Sequence, residues 1–242
     1  MELIILFLIS AVASAIFASF LIGFSKKIKL FDYPKLRRKI HAKPVPLLGG
    51  LAIFFSLIFV TVIWYFWSNT TESIYAMGKN VSVAPLLYLG GSLLILVIGG
   101  AIDDKYNLKP WQQIIFPIIA VSVAIFGGVT IEKITNPFGG FLNLEWHSFA
   151  FDRPNFLGGG PLELFWPGTL FTFLWLIGIT YTTKILDGLD GLATGISGIG
   201  ALMIALLSLL TKWYQPDVGA LALIFAGACA GFLLLNFFPA KI

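Results

Sequence analysis

The sequence predicts an all-α polytopic membrane protein of about seven transmembrane helices, with a small external β-hairpin between helices 4 and 5. Three observations carry that expectation. The chain of 242 residues is 58% hydrophobic and only 12% charged, whereas a soluble domain carries about 25% charged residues. Its mean hydropathy is +0.91. About 20 apolar residues cross a ~30 Å hydrocarbon core, so the roughly 140 hydrophobic residues suffice for about seven spans, and they gather into seven stretches separated by polar segments. A water-soluble globular class is excluded. The net charge of +4 sits beside one membrane face, where topology and anionic lipid account for it, so the lipid bilayer is the expected partner and nucleic acid is not.

The stretches lie near residues 3–23, 48–67, 85–101, 111–126, 165–182, 192–210 and 218–236. The first lacks a basic segment ahead of it and is followed by Lys26-Lys27, which reads as a retained helix rather than a signal peptide. Residues 127–164 form the one long loop. Within it Val129-Thr-Ile-Glu-Lys-Ile, the turn Asn136-Pro-Phe-Gly-Gly and Phe141-Leu-Asn-Leu-Glu-Trp146 read as two short strands around a turn, and Phe156-Leu-Gly-Gly-Gly-Pro161 as a flexible lead into the fifth helix. Gly191-x-x-x-Gly195 and Gly227-x-x-x-Gly231 suit close helix approach. The single cysteine, Cys229, lies inside an apolar run and reports nothing about redox compartment. Residues 1–242 read as a single membrane domain with 127–164 as its external loop.

Lys and Arg mark the cytoplasmic side. Residues 25–47 hold eight of them, and Lys105, Lys109, Lys184 and Lys241 from alternate loops bring that side to twelve. Lys79, Lys133, Arg153 and Lys212 leave four on the other. The expected orientation is a multi-pass protein of the plasma (inner) membrane, its amino terminus outside and residue 242 inside.

Carboxylates near spans are costly. Five lie on the inside by this topology: Asp32, Asp103, Asp104, Asp187 and Asp190. The last four form two pairs, Gly99-Gly-Ala-Ile-Asp-Asp-Lys105 and Lys184-Ile-Leu-Asp-Gly-Leu-Asp-Gly191, each at a helix boundary. Mutual repulsion within such pairs is relieved by a divalent cation, and oxygen-only ligands favour Mg²⁺ or Mn²⁺ over Zn²⁺. Mg²⁺ completes its shell with water and substrate phosphate, so a phosphate or diphosphate is the inferred ligand. The blander alternatives are a polar helix end with Lys105 and Lys109 as partners, and a Gly-rich turn with aspartates in capping positions. The basic loop Lys35-Leu-Arg-Arg-Lys-Ile-His41, framed by Pro34, Pro44 and Pro46, offers Arg38 and Lys39 to an anionic head group. His41 is able to donate a hydrogen bond or proton there, although a lone loop histidine is more often simply solvated.

Taken in order, Asp32-Tyr-Pro, Arg38-Lys-Ile-His41, Pro44-Val-Pro, Gly49-Gly50, Ile102-Asp-Asp104 and Asp187-Gly-Leu-Asp-Gly-Leu-Ala193 resemble the polyprenyl-phosphate N-acetylhexosamine-1-phosphate transferases, over nearly the whole chain. The first loop is more similar to the branch that moves N-acetylglucosamine 1-phosphate than to the phospho-N-acetylmuramoyl-pentapeptide branch. The resemblance implies a Mg²⁺-dependent phosphotransferase that joins a UDP-sugar to undecaprenyl phosphate at the cytoplasmic face and releases UMP, the first membrane step of a cell-envelope glycan such as lipopolysaccharide or teichoic acid. It implies catalytic roles for Asp103 and Asp104, metal binding by Asp187 and Asp190, and substrate binding by Arg38, Lys39, His41 and Lys184. A homodimer is compatible with it.

Two departures stand out. Many relatives carry Asn where this chain has Lys184, and an ammonium holds phosphate but cannot ligate Mg²⁺. Relatives also continue past the position of Ile242 into another Asp-containing loop and further helices, so an inactive lipid-phosphate-binding scaffold is one alternative. An ion-coupled carrier is the other, since intramembrane carboxylates and Gly-rich helices also mark carriers.

Overall fold

The computed structural model describes residues 2–28, 31–32, 45–46, 48–70, 83–106, 108–153, 160–212 and 214–242. It is a mostly helical, polytopic membrane protein. Among the described residues six helices are long and apolar enough to cross a membrane, because each of the long apolar runs has no internal breaker strong enough to stop it. The remaining apolar segment, Pro110–Phe126, is shorter. The contacts divide the chain into two compact units, residues 1–81 with 185–242, and residues 82–184.

The first unit contains helices α1 (Glu2–Ile28), α2 (Gly49–Thr70), α7 (Leu192–Leu210) and α8 (Pro216–Asn236), and a two-residue antiparallel ladder between β1 (Phe31–Asp32) and β2 (Val45–Pro46). Its packing is set by small residues. A Cβ at Gly227 would overlap the carbonyl oxygen of Phe7, and one at Gly231 that of Ala11. Both clashes fall one helical turn apart on each partner, so α8 crosses α1 at backbone contact, as the Gly-x-x-x-Gly spacing predicts. Buried serines add hydrogen bonds there: Ser10 Oγ donates to the Ile224 carbonyl at 2.6 Å and Ser56 Oγ to the Ser10 carbonyl at 2.9 Å. Around this seam Ala13, Val60, Trp64, Ala220 and Ile224 form one core cluster. Ala18, Leu21, Leu48, Ala52, Phe232 and Ile242 form a second.

The other predicted glycine pair behaves differently. Gly191 has φ +73°, at the cap of α7 rather than within it, and a Cβ at Gly195 would meet nothing within 4 Å. Gly191 is a left-handed turn packed against Leu233 at the end of α8, and Gly195 lies on an open helix face, so close approach holds at the first glycine and not at the second.

The second unit contains α3 (Val83–Tyr106), the short α4 (Pro110–Gln113), α5 (Ile115–Phe126), four strands and α6 (Trp166–Leu186). α5 runs back along α3, since Gly99 faces Phe116 and Gly127 faces Tyr88. The predicted stretch 111–126 is thus helical but broken at Ile114. Pro117 explains the break: it has no N–H to give the Gln113 carbonyl four residues earlier, and its ring crowds that carbonyl. The resulting 12-residue α5 is about 18 Å long.

The long loop holds two hairpins rather than one. β3 (Lys133–Thr135) pairs with β4 (Phe141–Asn143), as the turn residues predict. β5 (Ser148–Arg153) pairs with β6 (Gly160–Phe165), so Gly160-Pro161 belong to a strand instead of a flexible lead. The signal was available in Pro161-Leu-Glu-Leu-Phe165, whose leucines alternate with exposed residues. Leu162 and Leu164 are buried with Val121 and Ile125 of α5. Those two side chains are why the second hairpin lies against the helix.

Candidate active site

Asp103 sits in the last turn of α3, part-buried, while its neighbour Asp104 is exposed. The chain reverses direction just beyond, and Asp103 fastens that reversal: its Oδ1 accepts the backbone N–H of Leu108 at 3.1 Å. The same oxygen accepts from Gln113 Nε2 at 2.8 Å. Its Oδ2 accepts from Lys184 Nζ at 3.0 Å, and Lys184 also donates to Gln113 Oε1 at 2.8 Å. Gln113 Nε2 reaches the Leu108 carbonyl as well, at 3.0 Å. Three elements of one unit, α3, α4 and α6, therefore meet in a ring of side-chain hydrogen bonds. Sequence reasoning missed Gln113 entirely. Its only signal was polarity at the end of Lys109-Pro-Trp-Gln-Gln113, where Pro at the first helical position marks a helix start. The expected partners Lys105 and Lys109 do not hold Asp103; Lys105 Nζ instead lies 5.2 Å over the Tyr106 ring.

The second acidic pair lies in the turn between α6 and α7 in the first unit. Here the turn is fixed by backbone donors. Gly191 N–H donates to Asn236 Oδ1 at 3.1 Å, and Asp190 Oδ2 accepts the Ala240 N–H at 3.1 Å. Gly191 takes its positive φ with Leu233 close by, so a side chain there would be both strained and crowded. Asn236 is the other residue that the sequence did not single out. Asp187 is exposed at its surface, yet enough chain surrounds it for burial to push its carboxyl up from the ordinary aspartate range. A carboxylate held in that state, with no cationic partner among the described residues, favours any cation that reaches it.

Arg38, Lys39 and His41 lie outside the described residues. The stems of their loop are described, and β1 and β2 bring Asp32 opposite Val45.

Among the described residues no three His, Cys, Asp or Glu side chains converge as a metal cluster. One or two carboxylates nevertheless suffice for Mg²⁺, whose remaining positions go to water and phosphate. Asp187 and Asp190, three residues apart in one turn, offer hard oxygen donors of that kind.

Residues 86–242 match the family model described as glycosyl transferase family 4. A probable undecaprenyl-phosphate N-acetylglucosaminyl 1-phosphate transferase of Bacillus subtilis (strain 168) is 29% identical over 241 residues, covering 100% of this chain and 57% of the relative. A decaprenyl-phosphate N-acetylglucosaminephosphotransferase of Mycobacterium tuberculosis (strain ATCC 25618 / H37Rv) is 29% identical over 217 residues, 87% of this chain and 48% of the relative. A phospho-N-acetylmuramoyl-pentapeptide-transferase of Limosilactobacillus reuteri (strain DSM 20016) is 29% identical over 255 residues, 94% of this chain and 67% of the relative. The chain thus spans about half to two thirds of the curated relatives it matches. The matched region includes both acidic pairs, α4 with Gln113, and Asn236, and on that match the chain belongs to glycosyl transferase family 4.

Proposed function

We propose that the protein transfers N-acetylglucosamine 1-phosphate from its UDP-sugar to undecaprenyl phosphate at the cytoplasmic face of the plasma membrane. A lipid-phosphate oxygen bonds to the phosphorus that carries the sugar, the bond between the two phosphates of the donor breaks, and UMP leaves with the freed oxygen. The observation that carries the reading is the likeness of the whole chain to a relative whose name states this class of transfer. The Arg-Lys-Ile-His first loop and the names of two N-acetylglucosaminyl relatives favour this sugar over the muramoyl-pentapeptide. Family membership also weighs against a carrier.

Phosphoryl transfer asks the protein mainly for positioning and for neutralisation of charge on the migrating group. Asp103 and Asp104 act on the lipid phosphate, one of them orienting it or taking up its proton. Asp187 and Asp190 would hold Mg²⁺ or Mn²⁺, which when bound would supply neutralisation of the diphosphate charge. Arg38, Lys39 and His41 hold anionic oxygen atoms of the substrates. The twelve-to-four division of Lys and Arg supports the cytoplasmic placement.

The test is reconstitution of the full-length chain in vesicles with undecaprenyl phosphate, UDP-N-acetylglucosamine and Mg²⁺, following UMP. Metal-dependent release is expected. No release with any UDP-sugar, with or without metal, would overturn the proposal.

A further inference from the structure

The polarity of the ring at the end of α3 admits a single assignment. An ammonium only donates and an ionised carboxylate only accepts, so Lys184 on one side and Asp103 on the other force the Gln113 amide to point Oε1 at the lysine and Nε2 at the aspartate. The distances agree: 2.8 Å for each amide contact and 3.0 Å for Lys184 to Asp103. Gln113 is in turn held by its position. It is the last residue of α4, against the break that Pro117 imposes, and its backbone N–H bonds the Lys109 carbonyl at 3.1 Å. Two of the three Lys184 protons are committed to the ring, and both oxygens of Asp103 are engaged.

We infer that Gln113 and Lys184 act as one positioning unit for Asp103, the amide fixing Oδ1 and the ammonium fixing Oδ2, so that Lys184 works through Asp103 rather than by gripping substrate phosphate. An isolated exposed ion pair contributes little. A closed ring of charge-assisted bonds sets one rotamer and one direction for the remaining lone pair of Oδ2. The catalytic part of this inference rests on the transferase reading. The positioning part does not.

The experiment uses the full chain in vesicles, with Gln113→Leu, Lys184→Met, the double variant and Lys184→Arg. Two readouts are taken: steady-state kinetics against UDP-N-acetylglucosamine and undecaprenyl phosphate, and carbodiimide labelling of Asp103 quantified by peptide mass spectrometry. Each single change is expected to lower kcat about tenfold, the scale of one hydrogen bond to a charged group, while leaving KM for the lipid phosphate within about twofold. The double variant should be no worse than the poorer single one, since members of one unit are not additive, and Lys184→Arg should recover most of the loss. Labelling of Asp103 should rise severalfold in Gln113→Leu and Lys184→Met. A raised KM for the lipid phosphate in Lys184→Met, with Gln113→Leu neutral, would overturn the inference in favour of direct phosphate binding. Unchanged labelling would overturn it regardless of turnover. A wild-type chain that releases no UMP, yet shows the labelling increase, would remove the transferase reading and leave the positioning unit standing.

Discussion

The two compact units fix their acidic residues to different degrees. In residues 82–184, Asp103 is held at both oxygens, by the Leu108 N–H and by a glutamine and a lysine from α4 and α6. In the other unit the turn 187–191 is held by the Gly191 N–H on Asn236 Oδ1 and by the Ala240 N–H on Asp190 Oδ2, while the Asp187 carboxylate has no partner among the described residues. The contrast extends to packing. α1 and α8 meet through glycines at backbone distance, whereas α5 is covered by the leucines of a β-hairpin. A carboxylate tied at both oxygens suits fixed orientation, and one with no partner among the described residues suits the cation proposed for it.

The largest effect should follow removal of the open carboxylate. Asp187→Asn keeps the shape of the turn but not the charge, and UMP release should fall about a hundredfold or more, the scale for losing one preorganised charge-stabilising group. Asp187→Asn should also weaken the dependence on added Mg²⁺. Unchanged turnover would break the comparison by showing that the uncommitted carboxylate has no part in the chemistry.

Next in size is the glycine seam. Gly231→Ala places a Cβ against the Ala11 carbonyl, and because both partners are backbone neither side can yield locally. Overpacking of this kind costs about 1–3 kcal/mol, read as a lower unfolding temperature in detergent. Gly195→Ala is the matched control: its Cβ meets nothing within 4 Å, and removing a helical glycine there should be neutral or stabilising by up to about 1 kcal/mol. Equal losses at both sites would show that the first unit is not organised by close backbone approach.

What the sequence made legible follows the same division. Long apolar runs, the turn Asn136-Pro-Phe-Gly-Gly and the Gly227-x-x-x-Gly231 spacing each express a local rule, and each appears in the structure as read. Gly191 and Gly195 carry the same spacing, but spacing does not say that one of them caps a helix. The break at Ile114 was written in Pro117, which sits inside an otherwise continuous apolar stretch. Both acidic pairs were visible, yet their holders were not. Gln113 lies ten residues from Asp103, and Asn236 lies 45 residues from Gly191, so tertiary folding alone brings them together. No periodicity encodes such a meeting.

A smaller effect is expected where the second unit ties loop to helix. Thr172 Oγ1 is buried, accepts the Ile131 N–H at 2.7 Å and donates to the Gly168 carbonyl at 2.7 Å. Thr172→Val keeps the shape and strands the Ile131 N–H, at a cost of about 1–3 kcal/mol if no water replaces the oxygen and less if one does. Faster amide exchange at Ile131, with the α1–α8 seam unaffected, would confirm that the two units lose stability separately.

The smallest expected effect sharpens the contrast at the surface of the second unit. Glu145 follows β4, where Asn143 Nδ2 donates to its Oε2 at 3.2 Å and Lys133 Nζ lies 3.3 Å from its Oε1. The Asn143 hydrogen bond, then Lys133, holds its carboxyl below the ordinary glutamate range. Because Glu145 ionises more readily in the folded hairpin than in an unfolded chain, its stabilising contribution is complete above the ordinary value of about 4.3. That contribution is lost as pH falls through the lowered folded value. Acidification across that window should therefore loosen β3 and β4. The Leu144 N–H, which bonds the Glu132 carbonyl at 2.8 Å, reports it through exchange corrected for intrinsic rates. Glu145→Gln should abolish the pH dependence and leave protection near its acid-side level at every pH. The pair is exposed, so the change should be modest and shrink further in high salt. Salt-insensitive loss of protection would mean that hairpin packing, rather than this charge, responds to acid.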